Sequence, residues 1–375
     1  MPLRLPVTIV TGFLGVGKTT LLRYLLGHSN QRLAVMVNEF GTIGLDGDLI
    51  RSCGFCNEDE LDSRVIELTN GCLCCTVQDD FLPKMEVLLK CSDRLDGIIV
   101  ETSGLALPGP LIQALEWPAI RTRVYLNAVV TVVDGEALRA GSPIGDPTVF
   151  EQQQLRDSSL EHITAVDDLF TSQLQVADQV LISRADRITA EDFDRVCCHL
   201  QSSVRPGTSI LAIEQGRINP LIVLGPQQTN MILQESVALS GANTNDYKSD
   251  HHDDHNHVEM SSGLVRYDGY ISRREVEHLL PTLARQHQIV RIKGRVWLRG
   301  KPLPLQLQMV GPRLSSWFEA TSAHSWQPPS GSGVDLVVLG FQELAAERIE
   351  AALASLSDTC RKAAALSSPD LSQRQ

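Results

Sequence analysis

The stretch that most constrains this chain is Gly12-Phe13-Leu14-Gly15-Val16-Gly17-Lys18-Thr19, a glycine, four residues, then Gly-Lys-Thr. Its flanks decide what it can be. Val7-Thr8-Ile9-Val10-Thr11 before it is short and β-branched, as a buried strand requires. Leu21, Leu22, Leu25 and Leu26 after it form two adjacent pairs four residues apart, as one face of a helix requires. A glycine-rich turn from strand to helix lets backbone N–H groups converge on a phosphate, and the helix dipole adds to them. In that frame Gly12, Gly15, Val16 and Gly17 form the cradle, Lys18 reaches the β- and γ-phosphates, and the Thr19 hydroxyl ligates Mg²⁺. The bland alternative is a glycine turn with no ligand, and the strand and helix on either side weigh against it. The segment predicts a nucleoside-triphosphate site.

The first half of the chain continues in a strand-and-helix rhythm. Leu33-Ala34-Val35-Met36-Val37, Gly97-Ile98-Ile99-Val100, Ala128 to Val133 and Gln179-Val180-Leu181-Ile182 are apolar without polar alternation. Such strands belong to a parallel sheet covered by helices on both faces. A short apolar segment at Val65 to Leu68, a helix from about Asp79 to Lys90, and a helix N-cap pattern at Thr189-Ala190-Glu191-Asp192 fit the same unit, which is expected to close near Glu214. From about 215 to 263 prolines, glutamines, asparagines and serines dominate, and this reads as a linker. A second unit over 264–356 opens with the capping-box pattern Ser272-Arg273-Arg274-Glu275. Strands are expected at Ile289 to Ile292, Arg295 to Leu298, Leu305 to Met309 and Leu336 to Leu339, and a closing helix at Glu343 to Leu356. Residues 357–375 read as a polar tail. The expected architecture is an α/β domain of P-loop NTPase type at 1–214, followed by a smaller α+β domain.

A net charge of -12 and a pI near 5.3 argue against non-specific nucleic-acid binding, which needs a basic face. No apolar run is long enough to span a bilayer and no secretion signal is read, so a cytoplasmic protein is expected. Several of the nine cysteines are adjacent or one residue apart, a spacing that disulfide frameworks rarely use. Reduced thiols available to metal are the natural reading. Cys72-Leu73-Cys74-Cys75, after the turn signal Asn70-Gly71, places three soft ligands within four residues. Thiolates suit Zn²⁺, Co²⁺, Ni²⁺ or Cu⁺ and do not suit Mg²⁺ or Ca²⁺. Buried structural cysteine is the alternative. Cys53 and Cys56 form a weaker pair, and His251 to His257 holds four of the ten histidines, a loop fit for divalent metal or a plain solvated linker.

Two further segments follow apolar strands. Glu101-Thr102-Ser103-Gly104 stands where nucleotide-binding sheets present a second acidic residue. Glu101 can hold the Mg²⁺ water shell or orient the attacking water, and the Gly104 N–H can meet the γ-phosphate. Ser183-Arg184-Ala185-Asp186 lies where guanine-binding proteins usually carry Asn-Lys-any-Asp. Asp186 can accept from guanine N1–H and N2–H, and Arg184 can stack its head or stem on the base. Ser183 is too short to replace all the contacts of an asparagine, so guanine is expected with a departure from the usual reader.

Gly12 through Thr20, Asn38-Glu39-Phe40-Gly41, Asp46-Gly47-Asp48, Asn70 to Cys75 and Glu101 to Ala106 occur in an order that resembles the CobW family of GTP-dependent metal chaperones, its cobalamin-biosynthesis branch most. The likeness spans nearly the whole chain and is specific in the first half. It implies that Cys72, Cys74 and Cys75 bind the transported metal, with Glu39 as a carboxylate ligand or switch residue. It also implies that Asp46 handles the attacking water or Mg²⁺, and that Thr20 belongs to the nucleotide contacts. The leading expectation is a GTPase that carries Co²⁺ to a cobaltochelatase or another metal-accepting client, with room for a nucleotide-dependent homodimer. Zinc delivery by the same machinery is the runner-up. A P-loop kinase with a structural zinc, or a regulatory GTP-binding module stapled by its cysteines, are the other classes.

Overall fold

In the computed structural model, which describes residues 4–37, 65–67, 81–104, 106–143, 166–226, 260–321 and 325–366, the apolar segments of the first half lie side by side. Strands β1 (Leu5–Thr11), β2 (Leu33–Val37), β3 (Val65–Glu67), β4 (Gly97–Glu101), β5 (Val124–Asp134), β6 (Gln179–Ser183) and β7 (Ser209–Ala212) form a seven-stranded sheet in the order β3-β2-β4-β1-β5-β6-β7. Every neighbouring pair is parallel. The helices between them are α1 (Lys18–His28), α2 (Leu82–Lys90), α3 (Pro108–Ala114), α4 (Gly135–Arg139), α5 (Val166–Val176) and α6 (Ala190–Ser203), and α7 (Pro220–Leu224) follows β7. One face of the sheet buries Leu5, Val7 and Ile9 of β1 against Met85, Leu88 and Leu89 of α2 and Leu111 of α3. This is the parallel α/β architecture that the uninterrupted apolar strands predict.

The order of the strands locates the site. After β1 the chain crosses to β2 on one side, and after β5 it crosses to β6 on the other. Adjacent strands whose connections diverge leave a crevice at their carboxyl ends, where ligands of such sheets bind.

β5 is longer than the apolar run at Ala128 to Val133 suggests, because the polar Asn127 lies inside it. Asn127 is fully buried, and its Nδ2 donates to Thr8 Oγ1 at 2.8 Å and to the Leu224 carbonyl at 3.2 Å. A satisfied amide can occupy a core strand, so polarity there does not end the strand. α7 forms in a stretch read from composition as linker: Asn219 accepts from the Leu221 N–H at 2.9 Å, and Pro220 takes the first helical position.

The chain divides into two units, Met1–Gly225 and Pro226–Gln375. The second holds β8 (Ser261–Asp268), α8 (Arg273–Gln286), β9 (Ile289–Trp297), β10 (Leu305–Val310), β11 (Arg313–Phe318), β12 (Gly333–Gly340) and α9 (Ala345–Leu366). Its sheet is antiparallel throughout, in the order β11-β10-β9-β12-β8. Val276, Leu280 and Leu283 of α8 and Ile349 and Leu353 of α9 pack on Val265, Ile292, Val296, Leu336 and Val338. The opposite face places Arg291, Lys293 and Arg295 of β9 beside Gln306 and Gln308 of β10 and Asp335 of β12, all buried. The capping box at Ser272 and Glu275 is formed in both directions. Ile289 to Ile292 and Arg295 to Leu298, expected as two strands, are one, since Lys293 and Gly294 continue the ladder.

Candidate nucleotide site

β1 ends in buried Thr11 and hands the chain to Gly12 at φ 134°. A β-carbon on Gly12 would lie 2.1 Å from the Val132 carbonyl oxygen of β5, so no other residue fits this approach. The loop then enters α1 through Gly17 in a left-handed conformation, and no side chain caps the first N–H groups of the helix. Those groups are the donors an anion uses. Lys18 is buried and folds back over the loop, its Nζ donating to the Gly12 and Phe13 carbonyls, each at 2.9 Å. The expected phosphate residues Gly12, Gly15, Val16, Gly17, Lys18, Thr19 and Thr20 therefore share one strand-to-helix turn.

The segment after β4 lies against that turn. Val10 of β1 is in register with Glu101, and the Thr102 N–H donates to the Val10 carbonyl at 2.9 Å. Thr102 Oγ1 donates to Thr11 Oγ1 at 2.9 Å. Thr19 Oγ1 donates to Glu101 Oε1 at 3.4 Å. A hydroxyl and a carboxylate converging in this way are the oxygen donors that Mg²⁺ takes, so the residues present fit that ion. Gly104 packs directly on the loop, for a β-carbon there would sit 2.6 Å from Leu14 N. Gln173 of α5, fully buried, donates through Nε2 to the Gly104 and Ala106 carbonyls at 3.3 and 3.4 Å.

β6 supplies the third loop. Ser183 Oγ donates to the Val133 carbonyl at 3.0 Å, into the sheet. Arg184 takes φ 53°, and its guanidinium donates to the Gly15 carbonyl at 2.9 Å and pairs with Asp134. The head of Arg184 is thus engaged by the phosphate loop, which leaves its stem as the part to lie on a base. Asp186, exposed, sits on the 3-10 turn Ala185–Arg187. The loop after β7 is a fourth, with little sequence signal. The Ile213 N–H donates to the Ile182 carbonyl at 2.8 Å, and Gly216 lies against the Thr20 carbonyl at the start of α1. Its only signal was Gln215-Gly216 after the apolar Ile210 to Ile213. Asp134 and Gln173 gave no sequence signal, because their roles are defined by tertiary contacts.

Glu39, Asp46, Cys53, Cys56, Cys72, Cys74, Cys75 and His251 to His257 lie outside the described residues. What precedes them is described: β2 ends at Val37, in register with both Glu101 of β4 and Glu67 of β3. Among the described residues no group of three or more His, Cys, Asp or Glu is placed to hold a metal. Of the described cysteines, burial pushes the Cys197 thiol up to about 11, with Asp194 adding to the effect, which makes it a poor nucleophile or ligand at neutral pH.

Residues 6–212 match the family model described as CobW/HypB/UreG, nucleotide-binding domain, and residues 260–357 match the cobalamin synthesis protein cobW C-terminal domain. The zinc chaperone CobW of Pseudomonas aeruginosa is 39% identical over 348 residues, covering 91% of this chain and 88% of that protein. The zinc chaperone CobW of a Sinorhizobium species is 35% identical over 356 residues, covering 94% and 97%. The zinc chaperone YjiA of Escherichia coli is 27% identical over 361 residues, covering 93% and 98%. With both family models matched in succession and relatives alike over nine-tenths of its length, the chain belongs to the CobW family of nucleotide-binding GTPases.

Proposed function

We propose that this protein is a GTP-hydrolysing metallochaperone that takes Zn²⁺ on Cys72, Cys74 and Cys75, with Glu39, and delivers it to a metal-accepting client protein. One observation carries the reading: Val37 and Glu67, after which the chain runs on towards Glu39 and towards the three cysteines, stand level with Glu101 at the carboxyl edge of the sheet. The strands that lead on to the proposed metal ligands thus end beside the strand that ends in Glu101, which supports a coupling between nucleotide and metal.

The residues divide the work as follows. The loop amides from Gly12 to Thr20 and the Lys18 ammonium bind the phosphates, and Thr19 with Glu101 would hold Mg²⁺. When bound, that ion neutralises charge between the β- and γ-phosphates. Glu101 and Asp46 orient the attacking water, the Gly104 N–H faces the γ-phosphate, and Asp186 accepts from the guanine edge. The triphosphate orders the segments carrying Glu39, Asp46 and the cysteines, and hydrolysis releases them. Turning a site from mostly closed to mostly open takes about 5.5 kcal/mol of differential binding, a magnitude that phosphate contacts can supply. Intrinsic hydrolysis is slow, on the order of 10⁻³ per second or less, until a client engages. Action in the cytoplasm and a homodimer formed with GTP belong to the same reading. No helix among the described residues is long and apolar enough to cross a membrane.

Zinc replaces cobalt as the favoured cargo. The three relatives described above carry zinc in their names, and Zn²⁺ stands above Co²⁺ in intrinsic affinity for such ligands. Delivery of Co²⁺ to a cobaltochelatase remains a second reading, favoured by the description of the matched C-terminal domain. The test is a titration of the full chain with Zn²⁺, Co²⁺ and Ni²⁺, in GDP and in a non-hydrolysable GTP analogue. Tighter zinc with the analogue is expected, whereas equal affinity in the two nucleotides would remove the switch. A preference for cobalt that appears only with the analogue would bring back the second reading.

A further inference from the structure

Asp134 ends β5, the strand across the crevice from β1, and it is 2% exposed. Its two oxygens have separate tasks. Oδ1 accepts from the Glu136 and Ala137 N–H groups at 3.0 and 3.2 Å and so caps α4. Oδ2 pairs with the Arg184 guanidinium, whose other terminal nitrogen donates to the Gly15 carbonyl. Glu136 stands farther off, 3.9 Å from Arg184 Nε, and is shared with Arg187 at 3.3 Å. A planar guanidinium can hold two acceptors at a fixed angle, which a lysine ammonium does not do. Ser183, aimed at Val133, contributes no such bridge. Arg184 thus ties the phosphate loop to the loop bearing Asp186 by a hydrogen bond.

We infer that Asp134 is a positioning residue for base recognition: it holds the Arg184 guanidinium against the Gly15 carbonyl and thereby sets Asp186 at a fixed place relative to the bound phosphates. The inference rests on the GTP reading and deepens it. The Asp134–Arg184 pair supplies a link to the phosphate loop that Ser183 does not, so on this inference the departure at Ser183 and Arg184 leaves guanine selectivity in place.

The test uses the full chain and compares GTP with ATP in steady-state hydrolysis and in binding. Asp134→Asn keeps a residue that caps helices well and removes the charge that holds Arg184. It should raise KM for GTP about tenfold, as expected for loss of one charge-assisted hydrogen bond, with a much smaller change in kcat. The GTP-to-ATP preference should fall by a similar factor. Arg184→Ala leaves the α4 cap intact and should lower the same preference, and adding Asp134→Asn to it should lower it no further. A residue that served only to cap α4 would change stability and leave the preference alone. Unchanged preference in Asp134→Asn, or losses that multiply in the double variant, would overturn the inference. A wild-type chain that does not prefer GTP would instead refute the GTP reading itself.

Discussion

A β-carbon on Gly104 would lie 2.6 Å from Leu14 N and 2.5 Å from Leu14 Cγ, closer than atoms pack. Gly104→Ala must therefore push the segment after β4 away from the phosphate loop. The displaced backbone carries the N–H proposed above to meet the γ-phosphate. Hydrolysis should fall about 100-fold, the scale of losing one preorganised donor, while overpacking lowers stability by about 1–3 kcal/mol. Single-turnover hydrolysis together with chemical denaturation separates the two, and full activity in the folded variant would contradict the placement. At this scale the sequence speaks where chemistry and spacing are local. The glycines, Lys18 and Thr19 are legible because they share one strand-to-helix turn whose spacing is local. Gln173 and Asp134 are not, since the carbonyls of Gly104 and Ala106 and the guanidinium of Arg184 lie 50 or more residues away in sequence.

Elements were legible in proportion to how far apolar pattern alone determines them. The uninterrupted strands of the first sheet and the capped helices α6 and α8 follow from local signals: Thr189 accepts from the Asp192 N–H at 3.1 Å, as its spacing predicts. β7, β8 and β11 are not among the expected strands: Ser261-Ser262-Gly263 and Ser315-Ser316 carry little β signal, and pairing with β6, β12 and β10 respectively makes the three segments strands. β9 is the instructive case. Its polar face carries Arg291, Lys293 and Arg295 into a buried position, where Lys293 Nζ donates to the Pro226 carbonyl at 2.9 Å. Burial first, then the neighbouring Arg291 and Arg295, hold the Lys293 ammonium down to about 7, with Glu319 opposing. The unfolded chain keeps that lysine protonated to about pH 10.4. Between about pH 7 and 10 the unfolded state thus binds the extra proton, so this group makes stability rise with pH. Lys293→Met should remove the rise. The difference in unfolding free energy between variant and wild type should shrink by about 2–3 kcal/mol from pH 7 to pH 9, read by denaturation at each pH. A difference that stays constant would mean that Lys293 is neutral, or charged, in both states.

At the scale of the whole molecule, the strand order is what no local pattern could give. β1 pairs with β4 across some ninety residues, Val7 with Ile98 and Val10 with Glu101, and that pairing brings Thr19 to Glu101. The same order sets β2 and β3 beyond β4, so Val37, Glu67 and Glu101 end on one line. The chain that follows β3 leads on to the proposed thiolate ligands, and it starts from the edge that carries Glu101. In the proposed switch that common edge matters, because the free energy of phosphate binding has to act on the ligands of the cargo. Reciprocity then gives the decisive variant. Lys18 grips the Gly12 and Phe13 carbonyls and is proposed above to bind the phosphates, so Lys18→Ala should loosen the loop and weaken triphosphate binding while leaving Cys72, Cys74 and Cys75 unaltered. At a nucleotide concentration that saturates the wild type, zinc affinity of Lys18→Ala should be the same in GDP and in the GTP analogue. One zinc per chain should still bind, at the weaker affinity of the relaxed state. The measurement is competition with a chromophoric chelator. If Lys18→Ala kept the nucleotide-dependent difference, the triphosphate would not be the source of the coupling, and the cysteines would take their metal independently of the phosphate loop.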